Sequence, residues 1–351
     1  MEIGISSFVE TTPMLGTGET VSHAQRLREV VEEIKLADEV GLDIYGVGEH
    51  HRADYACSAT AVLLAAAATQ TKHIRLTSAV SVISSDDPVR IFQEFATLDG
   101  LSNGRAEIMA GRGSFIESFP LFGYSLNDYN ELFEEKLDLL LQLQREEFIT
   151  WQGKHRPSIQ NLGIYPRPVQ DELPIWVATG GTPQSSIRAG QLGLPIVFAI
   201  IGGNPLYFAR LAEKYIQTGI QAGHDRSKLQ IASHSHGFIA RDEQTVIDKY
   251  FPSIQYVMNK LGKERGWGAY TRETFDHARS EEGALFAGDI ETVARKIIEL
   301  RKNVGVTRFF LHLPVGSMPH EDVLEAIRLL GTEVAPIVRE EVAKWEAEQG
   351  L

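Results

Sequence analysis

Short apolar runs alternate with longer helical patterns from one end of this chain to the other, eight times over. The pattern predicts strands at Glu2–Ser7, Asp43–Val47, Ile74–Ile83, Ala106–Ala110, Ile175–Thr179, Pro195–Ile201, Leu229–Ala240 and Arg308–Leu313. It predicts helices over Ser22–Val40, Ser58–Gln70 (capped by Ser58), Pro88–Leu101, Glu131–Glu146, Pro183–Gln191, Pro205–Ala222, Asp242–Leu261 and Asp289–Asn303. One or two more follow over His320–Glu348, interrupted near Pro336. In the first helix Leu27, Val30, Val31, Ile34 and Leu36 or Ala37 share the expected core face. Phe148–Leu173 reads as an excursion with a small hairpin, and Gly262–Ala287 as irregular chain. Strand followed by helix, repeated, implies parallel pairing and right-handed crossovers. Continuously apolar strands suit a sheet covered on both faces. Eight such units in 351 residues close naturally into an α/β (β/α)8 TIM barrel, with insertions after strands 4 and 7. An open doubly wound sheet is the alternative. No linker or internal repeat divides the chain, so a single domain over residues 1–351 is expected.

Composition narrows the function. The formal net charge of −13 argues against nucleic acid or an acidic membrane surface as a partner, though not against a locally held anion. One cysteine, Cys57, precludes an internal disulfide framework and suits a reducing cytoplasm. The opening MEIGISSFVE has no signal-peptide pattern. The most apolar window, Ala59–Ala68, is too short to span a bilayer. A cytoplasmic enzyme is expected.

In a barrel of this kind the chemistry sits just beyond the strand ends. After strand five, Ala178-Thr179-Gly180-Gly181-Thr182-Pro183 forms a glycine turn into a helix. Such a turn lets backbone approach a ligand, and the helix N-terminus offers free N–H groups and partial positive charge to a phosphate. Thr182 is a candidate cap, with Pro183 in the first turn. A ligand-free βα turn reads the same way. After strand four, Arg112 stands between Gly111 and Gly113. Its guanidinium fork matches phosphate oxygens, or it pairs with Glu107, Glu117 or another acid. His50 and His51 follow strand two and either transfer protons or sit solvated in the loop. His234 and His236 share one face of strand seven, and with His50 and His312 they form either a metal set or a polar strand face. No HExxH, Walker, GxSxG or GxGxxG motif appears in the required context.

Taken in order, these residues resemble the bacterial luciferase-like family of flavin-dependent oxidoreductases over almost the whole chain. The resemblance rests on Gly48-Glu49-His50-His51, Ser78-Ala79-Val80 with Asp87-Pro88-Val89-Arg90, Leu98-Asp99 through Ser102-Asn103-Gly104-Arg105, Gly111-Arg112-Gly113, and Val177-Ala178-Thr179-Gly180-Gly181-Thr182. It implies reduced FMN at the C-terminal mouth of the barrel, with the deazaflavin F420 used by some relatives as the alternative. It implies monooxygenase chemistry with O2 on a small organic substrate, a separate NAD(P)H–flavin reductase, and a homodimer. An F420-dependent dehydrogenase on the same fold and a metal-dependent barrel hydrolase are the alternative activities. The implied phosphate site is Arg112, Gly180, Gly181 and Thr182, with Ala178, Thr179 and Gly111 beside it. Ser78, Ala79 and Val80 would back the flavin ring, with a non-proline cis peptide at Ala79-Val80 or its neighbour. His50 would lie near the ring and manage protons. Two departures argue against light emission: Gly111 stands where luciferase has its reactive cysteine, and Thr179-Gly180 replaces its acidic-serine turn.

Overall fold

The computed structural model describes residues 1–14 and 17–350. Its principal strands are β1 (Glu2–Ser7), β2 (Ile44–Val47), β3 (Arg75–Ser78), β4 (Ala106–Gly111), β5 (Ile175–Thr179), β6 (Ile196–Ala199), β7 (Ile231–Ile239) and β8 (Arg308–His312). Each pairs in parallel with its neighbours in sequence, and β8 pairs with β1, so the sheet closes into the expected eight-stranded barrel. The excursion before β5 holds an antiparallel hairpin, Phe148–Trp151 with Ile159–Gly163. No helix among the described residues is long and apolar enough to cross a membrane.

Five sequence expectations need correction. The third strand is not continuous: β3 ends at Ser78, a cis Ala79-Val80 bond follows, and pairing resumes at Ser81–Val82. Ser58 caps nothing, because its helix begins at Thr60 and Ala59 holds the cap position without a side-chain bond. Gly262–Ala287 is not irregular. The helix Glu243–Arg265 runs into it, Arg272–Arg279 is a second helix capped by Thr271, and Phe286–Gly288 adds a strand to the far end of β7. Near Pro336 the chain is not interrupted: a π-helical stretch, Leu330–Val334, joins His320–Leu329 to Ala335–Gln349. On the helix His23–Glu39 the buried face includes Arg26 and Glu33, which apolar periodicity passes over. They pair at 2.5 Å, and the Tyr45 hydroxyl donates to Glu33 at 2.8 Å. A buried charge pair of this kind is tolerable because every partner is hydrogen-bonded.

Register fixes what fills the barrel. Residues level across parallel strands share a face, and Ile44, Ala79, Met109, Trp176, Val197, Ala232 and Phe310 form one interior cluster. Alternation therefore places Glu2, Arg75, Glu107 and Arg308 inside at the lower end. There Arg308 donates to Glu107 at 2.5 Å and to Glu2 at 2.6 Å, with its guanidinium 4.3 Å from the Trp176 ring centroid. The same alternation carries Ser6, Gly46, Ala79, Gly111, Ala178, Ala199, His234 and His312 to the inside of the upper end.

Candidate active site

That upper layer is split into two halves. From β2 to β6 its interior residues are Gly46, Ala79, Gly111, Ala178 and Ala199, none larger than alanine. Val80 and Ala178, both partly exposed, pack on the apolar cluster beneath them. From β7 round to β1 the layer is polar: His234, His312 and Ser6, with His236 level with His312. A flat apolar shelf thus faces a hydrogen-bonding wall.

The small residues on the shelf make way for one another. A Cβ on Gly111 would sit 2.7 Å from Val80 Cγ2, and one on Gly46 would sit 2.8 Å from Ala79 Cβ. Gly111 is therefore needed behind Val80, and a cysteine there would collide with it. Gly111→Ala should destabilise the protein by about 1–3 kcal/mol through overpacking. Thermal unfolding should show Tm lowered by several degrees, and an unchanged Tm would refute the steric account.

On the rim, the turn after β5 has the expected form. Thr182 holds the N-cap position of Pro183–Leu192, with Pro183 in the first turn. Its hydroxyl does not cap the helix; it bonds the Ser185 hydroxyl at 2.8 Å. Gly181 has φ +102°, and a Cβ there would press on Phe208 at 2.9 Å, so only glycine fits. Gly180 faces open space. Thr179 is buried and its hydroxyl accepts from the Gly181 N–H at 3.2 Å. Arg112 reaches across from β4 to this turn, donating to Ser185 Oγ at 3.1 Å and Asn130 Oδ1 at 2.7 Å. Its guanidinium lies 5.3 Å from the Tyr129 ring centroid. The carboxylate partners that the sequence allowed, Glu107 and Glu117, bind Arg308 with Arg75 and Arg52 instead. Ser78 sits behind the shelf on the strand's other face, its hydroxyl bonded to the Met109 backbone at 3.2 and 3.1 Å.

His50 is buried in a box of aromatic rings: Phe8 at 4.6 Å, Tyr55 at 4.4 Å and Phe115 at 5.2 Å between centroids. Its Nε2 has no hydrogen-bond partner among the described residues. Burial, reinforced by His312 and His51, pushes its pKa down to about 3, so the imidazole is neutral at physiological pH. His51 instead bonds Glu49 at 2.9 Å. Phe8 stands at the centre of the mouth, 4.0 Å from the His312 ring and 5.7 Å from that of His234. Over His50 the segments after β4 and β7 meet. Arg52 donates to Glu117 on one and Glu264 on the other, each at 2.7 Å, and Arg265 donates to Ser114 O at 3.0 Å.

His50, His234, His236 and His312 do not assemble as metal ligands. Among the described residues the only such cluster is Asp128, Glu131 and His155. A cavity of about 760 Å3 opens at the opposite end of the barrel, where Arg308 and Glu107 already satisfy each other. Sequence reasoning placed Phe8, Glu10 and Arg52 just beyond strand ends without giving them a role, and it missed Asn130 and Ser185. Of the last two, Ser185 had a local signal, its spacing of three from Thr182 within a helix's first turn.

A family model described as luciferase-like monooxygenase matches residues 1–308. The N-acetyl-S-alkylcysteine monooxygenase of Bacillus subtilis (strain 168) is 28% identical over 317 residues, 86% of this chain and 90% of that one. An F420-dependent glucose-6-phosphate dehydrogenase of Amycolatopsis mediterranei is 30% identical over 193 residues, 52% of this chain and 57% of its own length. Among solved structures, the oxygenating constituent of 3,6-diketocamphane monooxygenase from Pseudomonas putida, in complex with FMN, superposes with a TM-score of 0.74. It is 20% identical and covers 96% of this chain and 98% of that one.

Proposed function

This chain belongs to the luciferase-like monooxygenase family, and on that premise we propose that it is an FMN-dependent monooxygenase of a small organic substrate. The observation that carries the reading is Arg112 held against the first turn of Pro183–Leu192 by neutral partners, Ser185 and Asn130. A cation with no carboxylate bonded to it among the described residues, beside a helix N-terminus and an open glycine, is suited to a dianionic phosphate.

Arg112, Gly180, Gly181 and Thr182 would hold the ribityl phosphate. The shelf of Ala79, Val80, Gly111 and Ala178 would receive the ring. When bound, the flavin supplies electron transfer and, in its reduced form, reaction with O2. The residues of the chain orient it and exclude water. Phe115 and Tyr55 close over His50, and the Arg52 ion pairs keep the two covering segments together. His50 offers its unpartnered Nε2 as a hydrogen-bond partner and transient proton acceptor, not as a standing imidazolium. Reduced flavin would come from a separate NAD(P)H-dependent reductase. Exposed Val62 and Leu101, on the helices Thr60–Ala68 and Pro88–Ser102, are consistent with a homodimer in the cytoplasm. F420-dependent hydride transfer is the second reading, favoured by the similarity to the glucose-6-phosphate dehydrogenase.

The test is O2 uptake by protein supplied with reduced FMN, with hydrogen peroxide measured alongside. His50→Ala should change the rate of peroxide release by about tenfold or more while the yield stays at one peroxide per O2, within the range of lost acid–base assistance. An unchanged rate would remove His50 from the mechanism. No protein-dependent effect on O2 uptake, with F420 reduced in place of FMN, would favour the second reading.

A further inference from the structure

Four buried groups behind the polar wall are joined in a line. Glu10 Oε1 lies 3.2 Å from His312 Nε2; His312 Nδ1 lies 3.4 Å from Ser6 Oγ; Ser6 Oγ lies 2.7 Å from His234 Nε2. None is more than 6% exposed. Glu10 Oε2 has no hydrogen-bond partner among the described residues. The line runs from the loop after β1, through β8 and β1, to β7, just beneath Phe8.

We propose that Glu10, His312, Ser6 and His234 form a proton relay to the barrel mouth, with the Glu10 carboxyl as its internal proton donor. The role assigned to the mouth rests on the function proposed above. Burial raises the Glu10 pKa to about 8, against the attraction of Arg26. The titratable groups around Glu10 are Arg26, Glu29 and Glu33 on the first helix, Tyr45 on β2, Tyr55 after it, Tyr250 on Glu243–Arg265, His312 on β8 and His320 beyond it. Burial keeps His234 and His312 neutral, each with a pKa near 3.

With Glu10 protonated, every hydrogen bond can point one way. The carboxyl donates to His312 Nε2, His312 Nδ1–H donates to Ser6 Oγ, and Ser6 O–H donates to His234 Nε2. Shifting each proton one place breaks the Glu10 O–H bond and forms N–H bonds at His312 Nε2 and His234 Nε2. His312 Nδ1 gives its proton to Ser6, Ser6 passes its own to His234, and His234 releases its Nδ1 proton to water at the barrel mouth. One proton leaves, Glu10 is left as carboxylate, and both imidazoles end as the opposite tautomer.

Nitrogen NMR of the flavin-free protein, labelled with 15N-histidine, reads this directly. His312 and His234 should both be Nδ1–H tautomers at pH 6 and both become Nε2–H, with one shared midpoint near 8. In Ser6→Ala, His312 should still switch while His234 does not. In Glu10→Gln, neither should switch. A wild-type His234 that keeps its tautomer while His312 changes, or an unchanged switch in Glu10→Gln, would overturn the relay. No flavin is present, so failure of this experiment leaves FMN binding standing. Failure of FMN to bind, with the switch intact, would overturn the assignment of the mouth and not the relay.

Discussion

Arg112→Ala should weaken FMN binding by about 100- to 1,000-fold and leave riboflavin binding almost unchanged. Two charge-assisted bonds to a phosphate contribute on the order of 3–4 kcal/mol together, and each 1.4 kcal/mol is tenfold in affinity. Removal should cost the protein little stability, because Ser185 and Asn130 are neutral and only Ser185 is buried. Arg112→Lys keeps the charge and loses the fork, so it should recover only part of the affinity. Quenching of flavin fluorescence measures all of these constants. An equal loss for FMN and riboflavin would mean that Arg112 shapes the site without touching a phosphate.

Acidification should unfold the protein as its surface carboxylates only begin to titrate. His50, His234 and His312 have folded-state pKa values near 3, and His236 lies well below its ordinary value, all because of burial. Unfolded, they take up protons below about 6.5; folded, they do not. Their stability contribution is therefore complete above pH 6.5 and is lost as pH falls towards 3. Shifts of this size are on the order of 4 kcal/mol per group at the low-pH limit, so the set matches a typical total stability. Glu10 acts in the opposite sense: its raised pKa means stability is lost as pH rises from about 4.5 to 8. Stability should peak near pH 6–7, and unfolding followed by circular dichroism should occur between pH 5 and 4 with uptake of several protons. Replacing His236 by Asn should move that midpoint down. A protein that stays folded at pH 3.5 would contradict the burial of these imidazoles as neutral groups.

The barrel was legible because its signal is repeated: eight apolar runs with helices between them leave few closed arrangements. The turn after β5 was legible because glycine and proline act locally. What stayed hidden depends on contacts distant in sequence. Glu10 and His312 are 302 residues apart, and Arg52 and Glu264 are 212 apart. Arg26 and Glu33 lie on a face that periodicity assigns to apolar residues, and their burial depends on Tyr45 and on each other. Ser58 looked like a helix cap because the residue type is right, yet the helix starts one residue too late for it. The cis bond at Ala79-Val80 carries no proline or glycine to announce it and was expected from the family resemblance alone. His234 and His236 showed their shared face in the sequence, while the bond of His234 to Ser6 and the packing of His236 on the His312 ring came only from closure of β7, β8 and β1.

The most direct test of the central claim is an equilibrium titration of the purified protein with FMN, followed by absorbance and fluorescence, with F420 and zinc as parallel ligands. The account predicts saturable binding of one FMN per chain, strengthened relative to riboflavin by the phosphate. Stoichiometric zinc binding with no affinity for either flavin would contradict it.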